Sequence, residues 1–366
     1  MKENIAIIGA SYLQLPLIEK AKDLGYVTHV FAWKADDVGE EAADFFYPLS
    51  ITEKQLILDK CKKIGICGIC SIASDLATVT VNYIANSLGI SGNSLEATLK
   101  STNKYFMRMA FAQNGDPSPK GYLVDSECKL KDLQLEYPII IKPTDRSGSR
   151  GITKLDDSKG LKEAFNYALT ESFEKKVMIE EYVEGKEYSV ECISYNGIHH
   201  FLALTEKFTT GAPNFIEIGH FEPASVDQFT LDRIIKVIFH ALDTLEIKNS
   251  ASHSEIKINR NGEIKIIEIG GRMGGDCIGS DLVQYSTGID YVKAVIQVAC
   301  GLEPNLIPVC EPIPVGVRFI FSESDIDKYE QMKKEKRIIR LAYFRPENIG
   351  KITDSSNRAG CYIYRK

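Results

Sequence analysis

The sequence lacks a long hydrophobic run. Its 366 residues contain no apolar stretch approaching the ~20 residues that a membrane-spanning helix requires. The N-terminal segment MKENIAIIGA has an apolar stretch that is too short for a secretory signal and that reads directly into a strand pattern. We therefore expect no membrane partner and a cytoplasmic location.

The sequence also lacks a large excess of positive or negative charge. The formal net charge is -6 and the pI is about 5.7, so no overall electrostatic attraction to nucleic acid is expected. The chain is 44% hydrophobic and 26% charged, which is typical of a globular protein with a sizeable core. Basic residues therefore matter only where they cluster.

The cysteine pattern excludes a secreted disulfide framework, because the nine cysteines are scattered and odd in number. Cys67 and Cys70 form a C-x-x-C motif in the stretch GICGICSIASD. In a β-strand, residues three apart point to opposite faces, so these two thiols cannot share a ligand there. We interpret them as small buried hydrophobes, with a redox or metal role as the alternative.

A glycine-rich dinucleotide fingerprint is absent after the first predicted strand. The turn begins at Gly9 and continues Ala-Ser-Tyr-Leu-Gln, whereas G-x-G-x-x-G needs three glycines. This argues against an oxidoreductase that uses NAD or FAD. Short apolar runs nevertheless alternate with helical patterns, which predicts a doubly wound parallel sheet over residues 1–97.

One apolar strand ends in a charge and a cationic loop, in the stretch PIIIKPTDRSGSRGI. Lys142 ends the strand, and Gly148 and Gly151 allow the loop amides to point inward beside Arg146 and Arg150. Such a loop can hold an anion. The alternative is a basic surface hairpin. The spacing does not match the G-x-x-x-x-G-K-[ST] phosphate loop.

A later stretch, SASHSEIKINRNGEIKIIEIGGRMGGD, reads as a hairpin with an Asn-Gly turn. Alternation places His253, Glu255 and Lys257 on one face, and Glu268 interrupts an apolar run on the second strand. Two carboxylates on adjacent strands suit Mg²⁺, which also takes phosphate oxygens. Arg272 offers a planar fork for a phosphate or carboxylate. The alternative is that the two glutamates form salt bridges with Lys257 and Arg272.

Between these stretches lies VMIEEYVEGKEYSV. A predicted strand ends at Glu180–Val183, and Glu187 follows a turn. Backbone groups of such a connection can pair with an adenine edge, and a nearby carboxylate can accept the ribose hydroxyls. The alternative is an edge strand with solvated acids.

The order of these parts resembles the ATP-grasp superfamily. Lys104, Lys142 with its loop, Glu180–Val183, Glu187, Glu255, Glu268 and Arg272 follow one another in the sequence. The stretches HSEIKI and IEIGGRMGGD are most similar to the carbamoyl-phosphate-synthase-like group that includes L-amino-acid ligases. The C-terminal fragment DSSNRAGCYIY is similar to one seen in that group.

The resemblance implies an α/β and α+β fold, in which a parallel pre-ATP-grasp sheet precedes a two-lobed ATP-grasp fold. The expected units are a pre-ATP-grasp domain at 1–97, a small lobe with the lid at 98–190, a large lobe at 191–302 and a C-terminal subdomain at 303–366. It also implies ATP and Mg²⁺ (or Mn²⁺) as cofactors.

The resemblance further implies roles for individual residues. Lys104 and Lys142 are expected to contact the phosphates. The lid is expected to consist of Arg146, Ser147, Gly148, Ser149 and Gly151. The adenine contacts are expected at Glu180, Glu181, Tyr182 and Val183, and the ribose contact at Glu187. Glu255 and Glu268 are the expected metal ligands. Arg272 and Lys142 are the expected catalytic residues.

One departure and one uncertain region accompany the resemblance. The family pattern Glu-x-Asn ends here in Gly270, so an amide oxygen ligand is missing. The stretch FTTGAPNFIEIGHFEPA reads as a long irregular connection that contains Glu217 and His220, with an acceptor-site wall and a packed loop as equal alternatives. The predicted substrate contacts are four residues: Glu217, His220, His253 and Asp276. For His253 the alternative is a hydrogen-bonded structural role.

The implied function is an ATP-dependent carboxylate–amine ligase that forms an amide through an acyl phosphate, with amino acids as the first choice of substrate. The partners are then small carboxylates and amines, and a homodimer is one expected assembly. Other ATP-grasp enzymes of purine or carbamoyl phosphate type, and a non-catalytic ATP-binding module, are the alternatives.

Overall fold

The computed structural model describes residues 2–146, 148, 150–212, 215–351, 355 and 358–366. Within this part of the chain the strands form three β-sheets, one parallel and two antiparallel. The same residues include no helix that is both long enough and apolar enough to cross a membrane.

The N-terminal sheet is parallel, as the alternating pattern predicts. Its strands are β1 (Asn4–Ile8), β2 (Val27–Ala32), β3 (Phe45–Pro48) and β4 (Ile66–Cys70), and its helices are α1 (Leu15–Asp23), α2 (Val38–Ala42), α3 (Lys54–Ile64) and α4 (Asp75–Leu88). The strand order is β3-β2-β1-β4. Ala6 and Ile8 of β1 pack on α3 and α4, whereas Ile5 and Ile7 pack on the other face with α1. Opposite faces of the strand are thus both buried, as expected for a parallel sheet.

Two helices, α5 (Leu95–Thr102) and α6 (Lys104–Asn114), lead from this sheet to a small antiparallel sheet. The small sheet contains β5 (Gly121–Val124), β6 (Ile139–Pro143), β7 (Thr153–Leu155) and β8 (Val177–Glu181), with α7 (Leu161–Glu171) against it and a 3₁₀ turn at Glu127–Asp132. Its order is β5-β8-β6-β7. Ala164, Phe165 and Ala168 of α7 form its core with the strands, at the spacing of one helix face.

A large antiparallel sheet occupies the rest of the chain. Its strands are β9 (Lys186–Tyr195), β10 (Ile198–Thr209), β11 (Glu217–Glu222), β12 (Ser250–Ile258), β13 (Ile264–Gly270), β14 (Val315–Ile320), β15 (Ile338–Phe344) and β16 (Gly360–Arg365). The helical segments are α8 (Gln228–Thr244), a π-helical turn (Ile278–Leu282), α9 (Val283–Thr287), α10 (Tyr291–Ala299), α11 (Glu323–Lys334) and a 3₁₀ turn (Pro346–Asn348). The strand order is β13-β12-β9-β10-β11-β14-β16-β15.

The predicted domain boundaries remain predictions, but two features of the fold bear on them. The last three strands, β14 to β16, extend the large sheet. Helix α10 of the large lobe packs against the N-terminal sheet, where Tyr291 and Ile296 join the cluster of Ile5 and Ile7. The N-terminal and large units therefore share a core.

One local prediction needs correction. The connection around Glu217 and His220 is not irregular, because residues Glu217–Glu222 form β11 between β10 and β14. Side chains cap the helices before the small sheet: the Ser74 hydroxyl accepts a hydrogen bond from the Ala77 amide at 3.2 Å at the start of α4, and Asn103 caps the start of α6.

Glu222 is a fully buried carboxyl group on β11. Ser286 of α9 donates a hydrogen bond to it at 2.5 Å, and Thr205 of β10 donates another. Burial raises the pKa of Glu222 to about 7, because these hydroxyls offset only part of the cost of removing a charge from water. The folded protein therefore holds this carboxyl protonated under mildly acidic conditions.

This buried carboxyl predicts a pH-dependent stability. The folded pKa lies above the usual value of 4.5, so the stabilisation is fully present below pH 4.5 and is lost as the pH rises through about 7. The loss amounts to about 3 kcal/mol. Glu222→Gln should remove this dependence of the free energy of unfolding on pH (the slope), as measured by denaturant unfolding at acidic and neutral pH. The exposed Glu303→Gln should keep the slope, and an unchanged slope in Glu222→Gln would contradict the prediction.

Candidate functional site

A cleft lies between the small sheet and the large sheet, and residues of β6, of the end of β8 and of the segment that follows β8 line it. Its lining includes these predicted site residues: Lys104, Lys142, Glu180, Glu181, Tyr182, Val183, Glu187, Glu217, Glu255 and Glu268. Apolar side chains, among them Ile140, Ile152 and Ile267, line the same cleft. Segments far apart in the sequence thus converge on one charged cavity with apolar walls.

Lys142 and Glu180 form a buried ion pair on neighbouring strands, with Nζ 2.6 Å from the carboxylate. Arg108 of α6 approaches the same carboxylate, with Nε at 2.9 Å. Burial lowers the pKa of Lys142, and the nearby Arg108 and Lys104 add to that effect despite the attraction of Glu180. Two further cations, Arg108 and Lys104, thus act on Lys142, which favours binding of an anion there.

Lys104 begins α6 and reaches two other parts of the chain. Its ammonium donates hydrogen bonds to the Arg146 carbonyl at 2.7 Å and to the Glu268 carboxylate at 2.9 Å. Burial lowers the pKa of Lys104, but the charge and hydrogen bond of Glu268 together with the charges of Asp75 and Glu180 outweigh it, and the net shift is upward. This one side chain joins the start of the predicted lid to the large sheet.

The alternative pairing of the two glutamates with Lys257 and Arg272 is wrong. Glu268 pairs with Lys104, and Glu255 pairs with Lys207 of β10. Lys257 instead lies 3.8 Å from Glu187, which also contacts Lys207 at 3.3 Å. The carboxylates of the cleft are therefore balanced mainly by cations from β10 and α6.

Glu255 and Glu268 lie directly opposite each other on β12 and β13. The ion pairs with Lys207 and Lys104 both use Oε1 of these glutamates. In the described ranges no group of three or more His, Cys, Asp or Glu side chains has a metal-binding arrangement. Two carboxylates side by side nevertheless fit Mg²⁺, which commonly takes one or two carboxylates and completes its shell with water and phosphate oxygens.

Arg272 is held by Asp75, a residue that sequence reasoning missed. Its Nε and Nη2 donate to the two carboxylate oxygens of Asp75 at 2.8 and 3.1 Å. Burial alone would raise the pKa of Asp75, but the charge and hydrogen bonds of Arg272 together with the charges of Lys104 and His253 outweigh it and lower the pKa. Asp75 opens α4 beside the N-terminal sheet, so that unit contributes to the position of Arg272.

Gly270 accounts for the departure from the Glu-x-Asn pattern. A Cβ at this position would lie 3.0 Å from the Asp75 carboxylate and 3.2 Å from the Arg272 guanidinium. A larger side chain would therefore displace the pair. The space of the missing asparagine is used by the Asp75–Arg272 contact.

His253 is buried beside Glu191, which is also fully buried. Its Nδ1 contacts the Glu191 carboxylate, and the Gly274 amide donates to the same carboxylate at 3.0 Å. Burial by itself lowers the pKa of His253, but Glu191 raises it to about 9. Its Nε2 lies 3.5 Å from Glu255. The histidine is a fixed cation next to the predicted metal ligands.

Three of the predicted substrate residues lie near one another. His220 Nε2 lies 3.7 Å from the Asp276 carboxylate, and neither residue lines the cleft. Arg358 makes a bidentate pair with Asp276 at 2.5 and 3.0 Å, stacks over Phe319 and donates to the Glu217 carbonyl at 3.4 Å. Glu217 also lines the cleft and so connects this group to it.

The predicted lid lies at the edge of a neighbouring cavity. Arg146 stacks 4.4 Å over the ring of Phe173 and lies 3.4 Å from Glu171. Gly148 and Gly151 have φ values of 72° and 70°, as their position in a turning loop requires. Ser147 and Ser149 lie outside the described residues.

Sequence reasoning missed several buried or partly buried charged residues: Asp75, Arg108, Glu191, Lys207 and Arg358. A signal existed for some of them. Glu191 interrupts the run SVECIS, which is otherwise apolar or neutral, and Arg108 lies one helical turn after Lys104. A buried charge in a strand requires a partner, although the sequence does not name the partner.

Comparison with known proteins agrees with this geometry. Residues 135–281 match the sequence model of the ATP-grasp domain. That stretch of the chain is similar to the ATP-grasp domain. The predicted resemblance and the predicted α/β and α+β architecture are therefore confirmed.

Relatives extend the similarity beyond that domain. Alanine–anticapsin ligase of Bacillus subtilis is 25% identical over 312 residues, which cover 75% of this chain and 65% of that protein. The chain thus spans just under two thirds of the length of that relative. The crystal structure of an L-amino acid ligase from Bacillus licheniformis has a TM-score of 0.83 at 23% identity and covers 100% of this chain and 93% of its own.

A second solved structure with the same fold is phosphoribosylglycinamide synthetase from Anaerococcus prevotii. Its TM-score is 0.77 at 22% identity, with 100% of this chain and 94% of that chain covered. At such identities the solved structures establish the fold alone.

The Asp75–Arg272 contact predicts a loss of stability when its charge is removed. Asp75→Asn leaves the largely buried guanidinium without its anion, so the free energy of unfolding should fall by about 1–3 kcal/mol. Denaturant unfolding measures this change. Asp36→Asn breaks an exposed pair with Lys34 and serves as the control that should show no measurable loss. An equal change in the free energy of unfolding of the two variants would contradict the structural role of the Asp75–Arg272 pair.

Proposed function

We propose that the chain is an ATP-dependent ligase that joins a carboxylate to an amine. The observation that carries the proposal is the convergence of Lys104, Lys142, Glu255 and Glu268 in one cleft, with Arg272 nearby. Mere binding of a nucleotide needs fewer charges than this. Two carboxylates for a metal and several buried cations suit transfer of a phosphoryl group.

In this proposal adenine occupies the part of the cleft beside β8. The Glu181 amide donates to the Lys120 carbonyl and the Tyr182 amide to the Pro138 carbonyl, so both amides are already engaged. We therefore assign the adenine contact of this segment to Val183. Ile140, Ile152 and Ile267 provide apolar faces for the base. Glu187, between Lys207 and Lys257, is the proposed acceptor for the ribose hydroxyls.

The phosphates would then extend toward Lys142 and Lys104. The crowded cations around Lys142 favour an anion, and the phosphate oxygens supply that charge. Glu255 and Glu268 would hold Mg²⁺ or Mn²⁺, which supplies charge neutralisation for the terminal phosphates when bound. The lid from Arg146 to Gly151 would shield the reaction from water.

The proposed chemistry has two steps. A substrate carboxylate oxygen attacks the γ-phosphorus of ATP, the bond to the β-phosphate oxygen breaks, and ADP leaves. An amine then attacks the acyl carbon, phosphate leaves, and the amine loses a proton as the amide forms. Lys142 and Arg272 provide fixed positive charge for the oxygens that gain negative charge.

Amino acids are the proposed substrates. The names of an alanine–anticapsin ligase and an L-amino acid ligase among the similar proteins support this choice. His253, which Glu191 keeps protonated, and the substrate residues Glu217, His220 and Asp276 are the proposed surroundings of the amino acid that supplies the amine. A cytoplasmic location and a homodimer remain predictions.

The test is release of ADP and phosphate from Mg²⁺-ATP in the presence of amino acids, offered singly and in pairs. A requirement for two amino acids supports the ligase. The fold shared with phosphoribosylglycinamide synthetase makes a purine-type activity the second candidate, and stimulation by a ribosylamine phosphate alone would favour it. No stimulation by either class would leave a non-catalytic ATP-binding module.

Arg272 gives the sharpest test of the proposed mechanism. Arg272→Ala removes a fixed donor and should reduce turnover by about 100-fold or more, measured as phosphate release. Binding of ATP, followed by calorimetry, should change little because Arg272 does not line the nucleotide cleft. Arg272→Lys is the matched variant, which retains the positive charge and loses the planar guanidinium group. Near-normal turnover in Arg272→Ala would exclude the proposed role.

A further inference from the structure

A second, larger cavity lies next to the nucleotide cleft. Its volume is about 690 Å³, and its walls come from α4, α5, the region after β6 and the segment that follows α7. The two cavities share Lys104 and Glu268 as lining residues. These two side chains therefore form the boundary between the nucleotide cleft and this cavity.

The walls of the larger cavity are rich in apolar groups that the fold leaves open to solvent. Trp33 is 52% exposed, Leu95 53%, Leu99 42% and Phe173 64%. All of them line this one cavity, as does Leu76. Scattered exposed apolar side chains are ordinary on a protein surface, but several that converge on one cavity indicate a binding site.

Three charged groups at the edge of the cavity, Asp145, Glu174 and Arg146, already have partners, and Lys54 and Arg150 also line it. Asp145 accepts hydrogen bonds from the Phe173 and Glu174 amides at 3.2 and 2.7 Å. Glu174 in turn accepts one from Asn103 at 3.2 Å, and Arg146 is stacked on Phe173. A ligand in the cavity therefore meets mainly apolar surface away from its Lys104 end.

The position of the cavity connects it to the reacting groups. Asp75, which holds Arg272, lines the cavity together with Lys104 and Glu268. A phosphate chain that runs along the cleft toward Lys104 ends at this boundary. A molecule in the cavity can thus present one polar end to the γ-phosphate and the rest of its body to Trp33 and Leu99.

We propose that this cavity binds the carboxylate substrate and selects a large apolar group on it, either aliphatic or aromatic. The inference rests on the proposed ligase function and adds the substrate class. The volume lies within the ~300–1,000 Å³ usual for small-molecule sites. The carboxylate points to Lys104, and the apolar group packs against α4, α5 and Phe173.

The first experiment measures carboxylate activation without the amine substrate. Hydroxylamine attacks an acyl phosphate, so that a C–N bond forms, phosphate leaves and a stable hydroxamate accumulates. Leucine and phenylalanine should give kcat/KM values about 10-fold or more above that of glycine, because apolar contacts discriminate by this order. A preference for glycine or for acidic amino acids would overturn the proposal.

Substitution of one wall residue tests the site directly. Leu99→Ala should lower kcat/KM for leucine by about 5- to 10-fold and leave that for glycine unchanged. Leu56→Ala removes a helical leucine of similar exposure, 52%, that does not line the cavity, and should alter neither value. An unchanged leucine-to-glycine ratio in Leu99→Ala would overturn the proposal even where the ligase reaction itself is observed.

The second experiment does not depend on turnover. Trp33 is the sole tryptophan of the chain, so its fluorescence reports on the cavity alone. With Mg²⁺ and a non-hydrolysable ATP analogue present, leucine should shift the emission to shorter wavelength, and glycine should not. Leu99→Ala should weaken the apparent affinity for leucine by about 5-fold. Absence of any leucine-dependent shift would overturn the cavity assignment.

The two readouts separate the possible failures. If no carboxylate gives a hydroxamate and no amino acid releases phosphate, the ligase function is wrong, and the emission of Trp33 alone decides whether the cavity binds an apolar carboxylate. If hydroxamates form without dependence on Leu99, the ligase function stands and this inference is wrong.

Discussion

The site depends on one electrostatic constraint: cations taken out of water must remain next to carboxylates. Lys104 shows it most directly, because its buried ammonium contacts Glu268 of the large sheet and a carbonyl of the lid region. Lys142 is likewise placed against Glu180. Removal of either partner would leave a buried charge unpaired, which costs far more than loss of a surface pair. The charges of the cleft are therefore also constraints on the packing of the two lobes.

This constraint explains why the cleft is suited to a ligand that carries both signs of charge. In the proposed function, a nucleotide would bring anionic phosphates to Lys142 and Lys104, and its metal would bring positive charge to Glu255 and Glu268. Each carboxylate that lost a lysine to phosphate would gain a metal in return. Such an exchange would keep the site near electrical balance, as a buried and weakly screened cluster requires.

The sequence predicts the members of this cluster better than it predicts their partners. Lys142, Glu255 and Glu268 stand out because a charge at a strand end or within an apolar run needs a reason to be there. The partner of each charge is set by sheet order, which places β10 near β12 and α6 near β13. Periodicity along one strand contains no information on that order, so Lys207 and Arg108 were missed.

The same limit explains the wrong expectation for the segment around Glu217 and His220. Its glycine and prolines favour an irregular loop locally. In the folded chain, pairing with β10 and β14 on both sides supplies the hydrogen bonds that make residues Glu217–Glu222 a strand. Tertiary pairing overrides local preference here, as is common for strands.

Gly270 shows how a departure from a family pattern can be compensated elsewhere. An asparagine there would supply an oxygen ligand, but its side chain would occupy the space next to the Asp75–Arg272 pair. The pair brings a carboxylate from α4 to the edge of the site and fixes the guanidinium fork. The N-terminal sheet, which shares a core with α10, thereby becomes part of the proposed reaction site. It also supplies Trp33 and α4 to the apolar cavity, so one unit sets both the orientation of Arg272 and the proposed choice of substrate.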